Sequence, residues 1–183
     1  MKILVCAATG GETKIIKNNI KNLNIVGLSV SFFTTGIGNY ETMFSLTNYL
    51  LSHKEEIPDL ILNVGVCGYV GNKEKLVQVA RIVNASTGKE SIVPIPQLLA
   101  PVSSCFCSET PVFEKILNEE NYVVDMESFA IDYVAQKFQI PRILIKVPVD
   151  QVGEETLAFD RDQALKLLEK NIDWKKIMEK VMK

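Results

Sequence analysis

Apolar residues recur along this chain in two periods, and the changes between them mark out its elements. Lys2 to Ala8 is a nearly continuous apolar run, which predicts a first strand. Thr9-Gly-Gly-Glu-Thr13 then reads as a turn into a helix reaching about Leu23. Ile25 to Thr35 alternates apolar and small residues as a second strand, closing in Thr34-Thr-Gly-Ile-Gly-Asn39. A helix from about Tyr40 to Ser52 follows, then a third strand from Leu60 to Val64 that enters a turn at Gly65-Val-Cys-Gly68. Leu76 to Asn84 predicts a further strand, Val112 to Asn118 a helix, and Arg161 to Glu169 and Trp174 to Met182 two closing helices. Strand following helix following strand implies a parallel sheet covered on both faces.

The stretch from Asn121 to Gly153 is the most informative. Met126, Phe129, Ala130, Tyr133, Val134 and Phe138 recur at the three and four spacing that gives a helix one apolar face, and Asp125 ahead of them is the predicted N-cap. Pro141 lacks an amide donor and ends the helix, so Ile143 to Val149 reads as a mostly buried strand with Asp150 at its C-terminal end. In open α/β sheets ligands bind in the crevice outside the carboxyl ends of strands. Asp150 and a first-turn Glu127 are therefore expected to face one cavity.

Composition narrows the class. With 183 residues, a formal net charge of −2 and 47% hydrophobic residues, the chain is expected to form a single domain over 1–183 with a sizeable core. No strong basic patch points to nucleic acid, and the apolar runs are too interrupted for a membrane span or signal peptide. Cys6, Cys67, Cys105 and Cys107 lack the spacing of a zinc site, and reduced thiols in a cytoplasmic protein are the expectation, with no metal and no cofactor. The one histidine, His53, sits beside Lys54-Glu-Glu56 at a helix end and reads as a solvated imidazole. Any chemistry here runs on carboxylates.

Val124-Asp-Met-Glu-Ser-Phe-Ala-Ile131, followed by a Pro-initiated strand ending in Asp150, resembles the purine nucleoside phosphorylase/nucleosidase superfamily. That group includes methylthioadenosine/S-adenosylhomocysteine nucleosidases and futalosine hydrolases, the two closest in pattern. Asn63-Val-Gly-Val-Cys-Gly68 resembles the turn whose backbone lies against the base in that family, which would place Cys67 and Gly68 in the base site; Thr35-Gly-Ile-Gly38 resembles the preceding strand exit. The start, Met-Lys-Ile-Leu-Val-Cys-Ala-Ala-Thr with Glu12 beyond it, is similar to the start of the nucleosidases. The resemblance implies a three-layer α/β fold of phosphorylase/hydrolase type, a mixed central sheet flanked by helices, shortened between about Asn84 and Ser103. Val149 stands where the family usually has Ser.

The same resemblance implies roles. Asp150 would protonate N7 of a purine, Glu127 would hold the ribose hydroxyls, Glu12 would activate water, and Met126 would line the sugar pocket. Glu12 also has a plain reading as a first-turn acid favouring the helix dipole. Phe106 is either a ring stacked on the base or a core side chain. Arg81, Arg142 and Arg161 all lie outside the loops where phosphorolytic relatives hold phosphate, so hydrolysis of a purine nucleoside derivative of futalosine or methylthioadenosine type is the expected activity. A phosphorolytic enzyme and a non-catalytic nucleoside-binding relative stay open as alternatives. A homodimer or higher homo-oligomer is expected to cover the short middle segment.

Overall fold

The computed structural model describes residues 1–23, 25–95 and 99–182. In chain order the strands are β1 (Lys2–Ala7), β2 (Ser29–Thr34), β3 (Leu60–Val70), β4 (Val77–Asn84), β5 (Glu90–Ile92), β6 (Val102–Cys107), β7 (Tyr122–Asp125) and β8 (Arg142–Gln151). The α-helices are α1 (Gly10–Lys21), α2 (Asn39–Ser52), α3 (Ser128–Lys137), α4 (Glu154–Leu157), α5 (Arg161–Asn171) and α6 (Trp174–Val181). All eight strands belong to one mixed sheet.

Long β3 organises the sheet. Along one edge it pairs in parallel with β8 from Ile61 to Tyr69. Along the other it pairs in parallel with β1 through Leu60 to Asn63, then antiparallel with β7 through Gly68 to Val70. Between Asn63 and Gly68 that second edge carries no strand, because β1 and β7 reach it from opposite directions and both end there. β2 flanks β1 in parallel. From β7 the pairing runs in parallel to β6 and on to β4, and β4 pairs antiparallel with β8. Strands β3, β7, β6, β4 and β8 therefore close a ring, with β5 added to the outside of β4.

Alternation along the strands sends side chains to two sets of helices. Ile3 and Val5 of β1, Leu62 and Val64 of β3 and Ile143, Ile145 and Val147 of β8 bury against Ile16 and Ile20 of α1, Leu168 of α5 and Trp174, Ile177 and Met178 of α6. Leu4 and Cys6, with Ile61, face the opposite way onto Leu46 and Leu50 of α2 and Ile131, Val134 and Ala135 of α3.

Several expectations need correction. The second strand is β2 alone, because Ile25 to Leu28 form a turn in which the Leu28 amide donates to the Ile25 carbonyl at 3.4 Å. Gly65 to Gly68 is not a turn: β3 runs through it, held by β8 on one edge. No helix forms over Val112 to Asn118. The Tyr122 hydroxyl accepts from the Ile116 and Leu117 amides at 2.8 and 3.2 Å, so tertiary bonds replace helical ones there. Asp125 is the last residue of β7, not a cap; helix α3 starts three residues later with Glu127 at its N-cap, one place ahead of the first turn where it was expected. His53 caps α2 and stacks on Tyr49 at 4.3 Å between ring centroids. The cysteines are free and buried. No helix among the described residues is long and apolar enough to cross a membrane.

Docking of the closing helices has a direct test. Leu168 is wholly buried against the sheet, so Leu168→Ala should cost about 2–5 kcal/mol in urea unfolding, whereas exposed Lys166→Ala should stay within about 0.5 kcal/mol. Equal, small losses would mean that α5 does not contribute to the core.

Candidate active site

The unpaired edge of β3 is where the functional side chains collect. The Val66 amide, left without a strand partner, donates to Oε1 of Glu12 at 3.1 Å. Oε2 of the same carboxylate accepts from the Thr9 amide and hydroxyl, both at 2.9 Å, and the Glu12 amide donates back to the Thr9 hydroxyl at 3.3 Å. This reciprocal cap fixes the start of α1 and aims the buried carboxylate at β3. Gly65 makes the approach possible: a Cβ there would stand 3.2 Å from Oε1 of Glu12. Both readings of Glu12 therefore describe the same side chain. It serves the helix start, and three donors leave roughly one of its four lone-pair sites open.

Across β3, Gly65 registers with Lys146 of β8. The Lys146 ammonium is 2.6 Å from Oδ2 of Asp125, and both side chains are 1% exposed. Burial is the largest single influence and opposes the charge on each, but their attraction and the hydrogen bonds together outweigh it: the Lys146 pKa is raised, with Glu127 adding to the effect, and that of Asp125 is held below its usual range, with Ser128 and Cys105 helping. Asp125 also accepts from the Ser128 amide and, at 2.6 Å, the Ser128 hydroxyl, and from the Cys105 thiol. It thereby ties β7 to β6, to β8 and to the start of α3.

Glu127 follows two residues on. Its Oε1 accepts from the Gly38 amide at 3.0 Å, and within the described residues Oε2 makes no hydrogen bond. Gly38 suits this place because its φ is +90° and a Cβ would clash with Glu109. Burial, joined by the charge of Asp125, pushes the Glu127 pKa up to about 7 despite Lys146 and the Gly38 amide. Asp150 lies at the far end of β8. An extra residue in β8, Val149, breaks the register there and sets Asp150 opposite Gly68. The Asp150 carboxylate is half-buried, accepts from the Thr156 hydroxyl at 3.0 Å, and is shifted upward by burial and by Glu155.

Glu12, Glu127 and Asp150 line a single cavity of about 360 Å³ together with Met126, Cys67 and Gly68. That volume lies in the range of small-molecule sites, about 300–1,000 Å³. Phe106 does not line it. Its ring packs with Val83, Tyr122 and Val124 in a core cluster, beside Val124 on the neighbouring strand, which does reach the cavity. Cys67 contributes a wall and not a nucleophile, since burial raises its thiol pKa well above the ordinary value. Among the described residues no group of three or more His, Cys, Asp or Glu side chains is arranged to hold a metal ion.

Three participants escaped the sequence reading. Lys146 had a signal: a charge inside an apolar strand needs a buried partner. Thr156 had none, because the helix that carries it, α4, was not foreseen. Arg161, which the sequence places outside the phosphate-holding loops of phosphorolytic relatives, lines the cavity.

Two consequences are measurable. An unfolded Glu127 loses its proton near its ordinary value of 4.5, and the folded one keeps it to about 7, so the fold binds more protons in that window and loses stability as pH rises through it. Glu127→Gln should flatten the fall in Tm between about pH 5 and 8; an unchanged slope would contradict the shift. Lys146→Met leaves Asp125 charged and alone, and should cost about 3–5 kcal/mol in chemical denaturation, with part regained by adding Asp125→Asn. A loss below about 1 kcal/mol would show that the pair holds little.

No family model matches the chain, and no curated protein matches it. Solved structures do. A futalosine hydrolase mutant of Helicobacter pylori aligns over 100% of this chain and 99% of its own, with a TM-score of 0.81 at 14% identity. The 5′-methylthioadenosine/S-adenosylhomocysteine nucleosidase of Helicobacter pylori, solved with butyl-thio-DADMe-Immucillin-A, aligns over 100% and 98%, with a TM-score of 0.79 at 14% identity. A variant of the MTAN of Chlamydia trachomatis aligns over 93% and 95%, with a TM-score of 0.70 at 21% identity. The agreement spans both chains almost end to end, and the chain therefore shares the mixed α/β fold of these nucleosidase and futalosine hydrolase structures.

Proposed function

We propose that the protein hydrolyses the N-ribosidic bond of a purine nucleoside derivative. The observation that carries this reading is the convergence of three carboxylates, from the β1–α1, β7–α3 and β8–α4 junctions, on one cavity beside the unpaired edge of β3. The similarity to structures of futalosine hydrolase and methylthioadenosine/S-adenosylhomocysteine nucleosidase supports it.

Each carboxylate has a task matched to its surroundings. Asp150 donates a proton to N7 of the purine; its upward shift keeps it protonated at a higher pH than an ordinary aspartate. The C1′–N9 bond then breaks with its electron pair going to the base, and positive charge develops on the sugar as in other glycoside hydrolysis. Glu127 uses its free Oε2 to accept from the ribose hydroxyls, and Met126 packs against the sugar. Water adds at C1′ and gives its proton to Glu12, which lines the cavity and has roughly one lone-pair site without a donor. The backbone at Cys67 and Gly68 lies along the base. The shared chemistry of this class leaves the futalosine and methylthioadenosine types as the two candidate substrates.

Phosphorolysis is the second reading, and the presence of Arg161 at the cavity is the observation that favours it. Hydrolysis remains preferred because a phosphate dianion would sit among three carboxylates with one guanidinium to offset them. We further propose that the protein works as a cytoplasmic homo-oligomer.

Incubation with methylthioadenosine, S-adenosylhomocysteine, inosine and futalosine, with and without phosphate, should release free base from at least one without phosphate. Asp150→Asn should lower kcat by about 10²-fold or more, since it removes the acid. Phosphate-dependent release would establish phosphorolysis. No release from any of them, with nucleoside binding intact, would make the protein a binding relative.

A further inference from the structure

Asp150 stands where the chain passes from β8 toward α4, and side chains from outside the strand hold the backbone on either side of it. The Val149 carbonyl accepts from the Lys73 ammonium at 2.8 Å, and that ammonium lies 5.2 Å from the centre of the Tyr69 ring. On the other side, the Gln151 amide donates to Oε2 of Glu155 at 2.6 Å. The carboxylate itself is held at one oxygen only. Oδ2 accepts from the Thr156 hydroxyl at 3.0 Å, whereas Oδ1 receives no hydrogen bond from any other described residue.

A hydroxyl has a single proton to give. The Thr156 oxygen accepts from the Gly153 amide at 3.3 Å, and the competing acceptor for its proton, the Gln151 carbonyl, is farther away at 3.4 Å. The shorter and charged acceptor is Asp150, and both residues line the cavity. Burial raises the Asp150 pKa; Thr156 is the largest influence against it, Glu155 adds to the rise and Lys73 opposes it. From β3, Tyr69 and Cys67 sense the same charge, but burial raises the pKa of each and keeps both neutral near pH 7.

We propose that Thr156 is a positioning residue for the general acid: its hydroxyl occupies Oδ2 of Asp150, so the proton given to the base is carried on Oδ1. The inference rests on the nucleosidase reading, in which Asp150 protonates the purine, and it gives that acid's orientation an origin. An oxygen that already accepts a hydrogen bond is the poorer proton site of the two. As the proton passes from Oδ1 to N7 and the C1′–N9 electron pair goes to the base, negative charge grows on Asp150. The bond from Thr156 strengthens with that charge, so it favours the chemical step over substrate binding.

The test compares the parent with Thr156→Val, which keeps the shape and loses the hydroxyl, and with Thr156→Ser, using methylthioadenosine and futalosine on the full chain. Thr156→Val should lower kcat about tenfold with KM changed far less, the size of one hydrogen bond to a charged group, and Thr156→Ser should recover most of it. Without the bond Asp150 keeps its proton to higher pH, so the alkaline limb of kcat/KM should move up in Thr156→Val and return in Thr156→Ser. Glu155→Gln, which retains an acceptor for the Gln151 amide, should move that limb down. A limb that stays in place in Thr156→Val, a loss confined to KM, or limbs that move the same way in Thr156→Val and Glu155→Gln would overturn the proposal. If neither nucleoside releases base, the nucleosidase reading fails, and carbon NMR of the Asp150 carboxyl decides Thr156 separately. A titration midpoint raised in Thr156→Val and restored in Thr156→Ser would support its hold on Asp150, and an unmoved midpoint would overturn it.

Discussion

A buried ion pair sits under everything this molecule does. Lys146 and Asp125 lie 2.6 Å apart with almost no contact with water, on strands that flank opposite edges of β3. Desolvating two charges is expensive, and the pair persists because extra donors satisfy the carboxylate and because neither strand can move without exposing apolar surface. Its charge then conditions its surroundings. Burial, helped by Asp125, raises the Glu127 pKa to about 7, and Lys146 limits how far that goes. The ion pair is thus structural in what it binds and electrostatic in what it does for the cavity.

The cavity itself follows from how β3 is paired. An eleven-residue strand with two different partners along one edge must leave a gap where one stops and the other has yet to begin. Backbone amides in that gap need acceptors, and Glu12 supplies one for Val66. Glycine at 65 lets the carboxylate come close, and glycine at 68 faces Asp150. Helices α1, α5 and α6 on one face and α2 and α3 on the other fix β1, β3 and β8 by apolar packing. Precision at the rim is therefore a consequence of a core that contains none of the chemistry.

Much of this was legible from the order of residues. Asp150 at the end of an apolar strand and Glu127 beside a helix start could be placed together because strand ends in such sheets share a rim. The Thr9-Gly-Gly-Glu-Thr13 run marked a helix entry. What could not be read was pairing between strands far apart in sequence. Gly65 to Gly68 looks like a turn by composition, yet β8 holds it extended. Asp125 has the spacing of a cap, yet Lys146 and β6 claim it for the sheet, delaying the helix to Ser128. Val112 to Asn118 has helical periodicity, but the Tyr122 hydroxyl takes its amides. The sequence leaves Phe106 open between cavity and core, and says nothing of Arg161 at the cavity, for a related reason: which face of a strand or helix meets the cavity depends on register that a single sequence does not express.

The central claim is that three acidic side chains from separate junctions act on one bound nucleoside. A crystal structure of the protein with a non-hydrolysable purine nucleoside analogue tests it most directly. The account predicts purine N7 within hydrogen-bond distance of Asp150, ribose hydroxyls on Glu127, and a water or its equivalent between C1′ and Glu12. An analogue bound away from this cavity, or bound within it with the base turned from Asp150, would contradict the account.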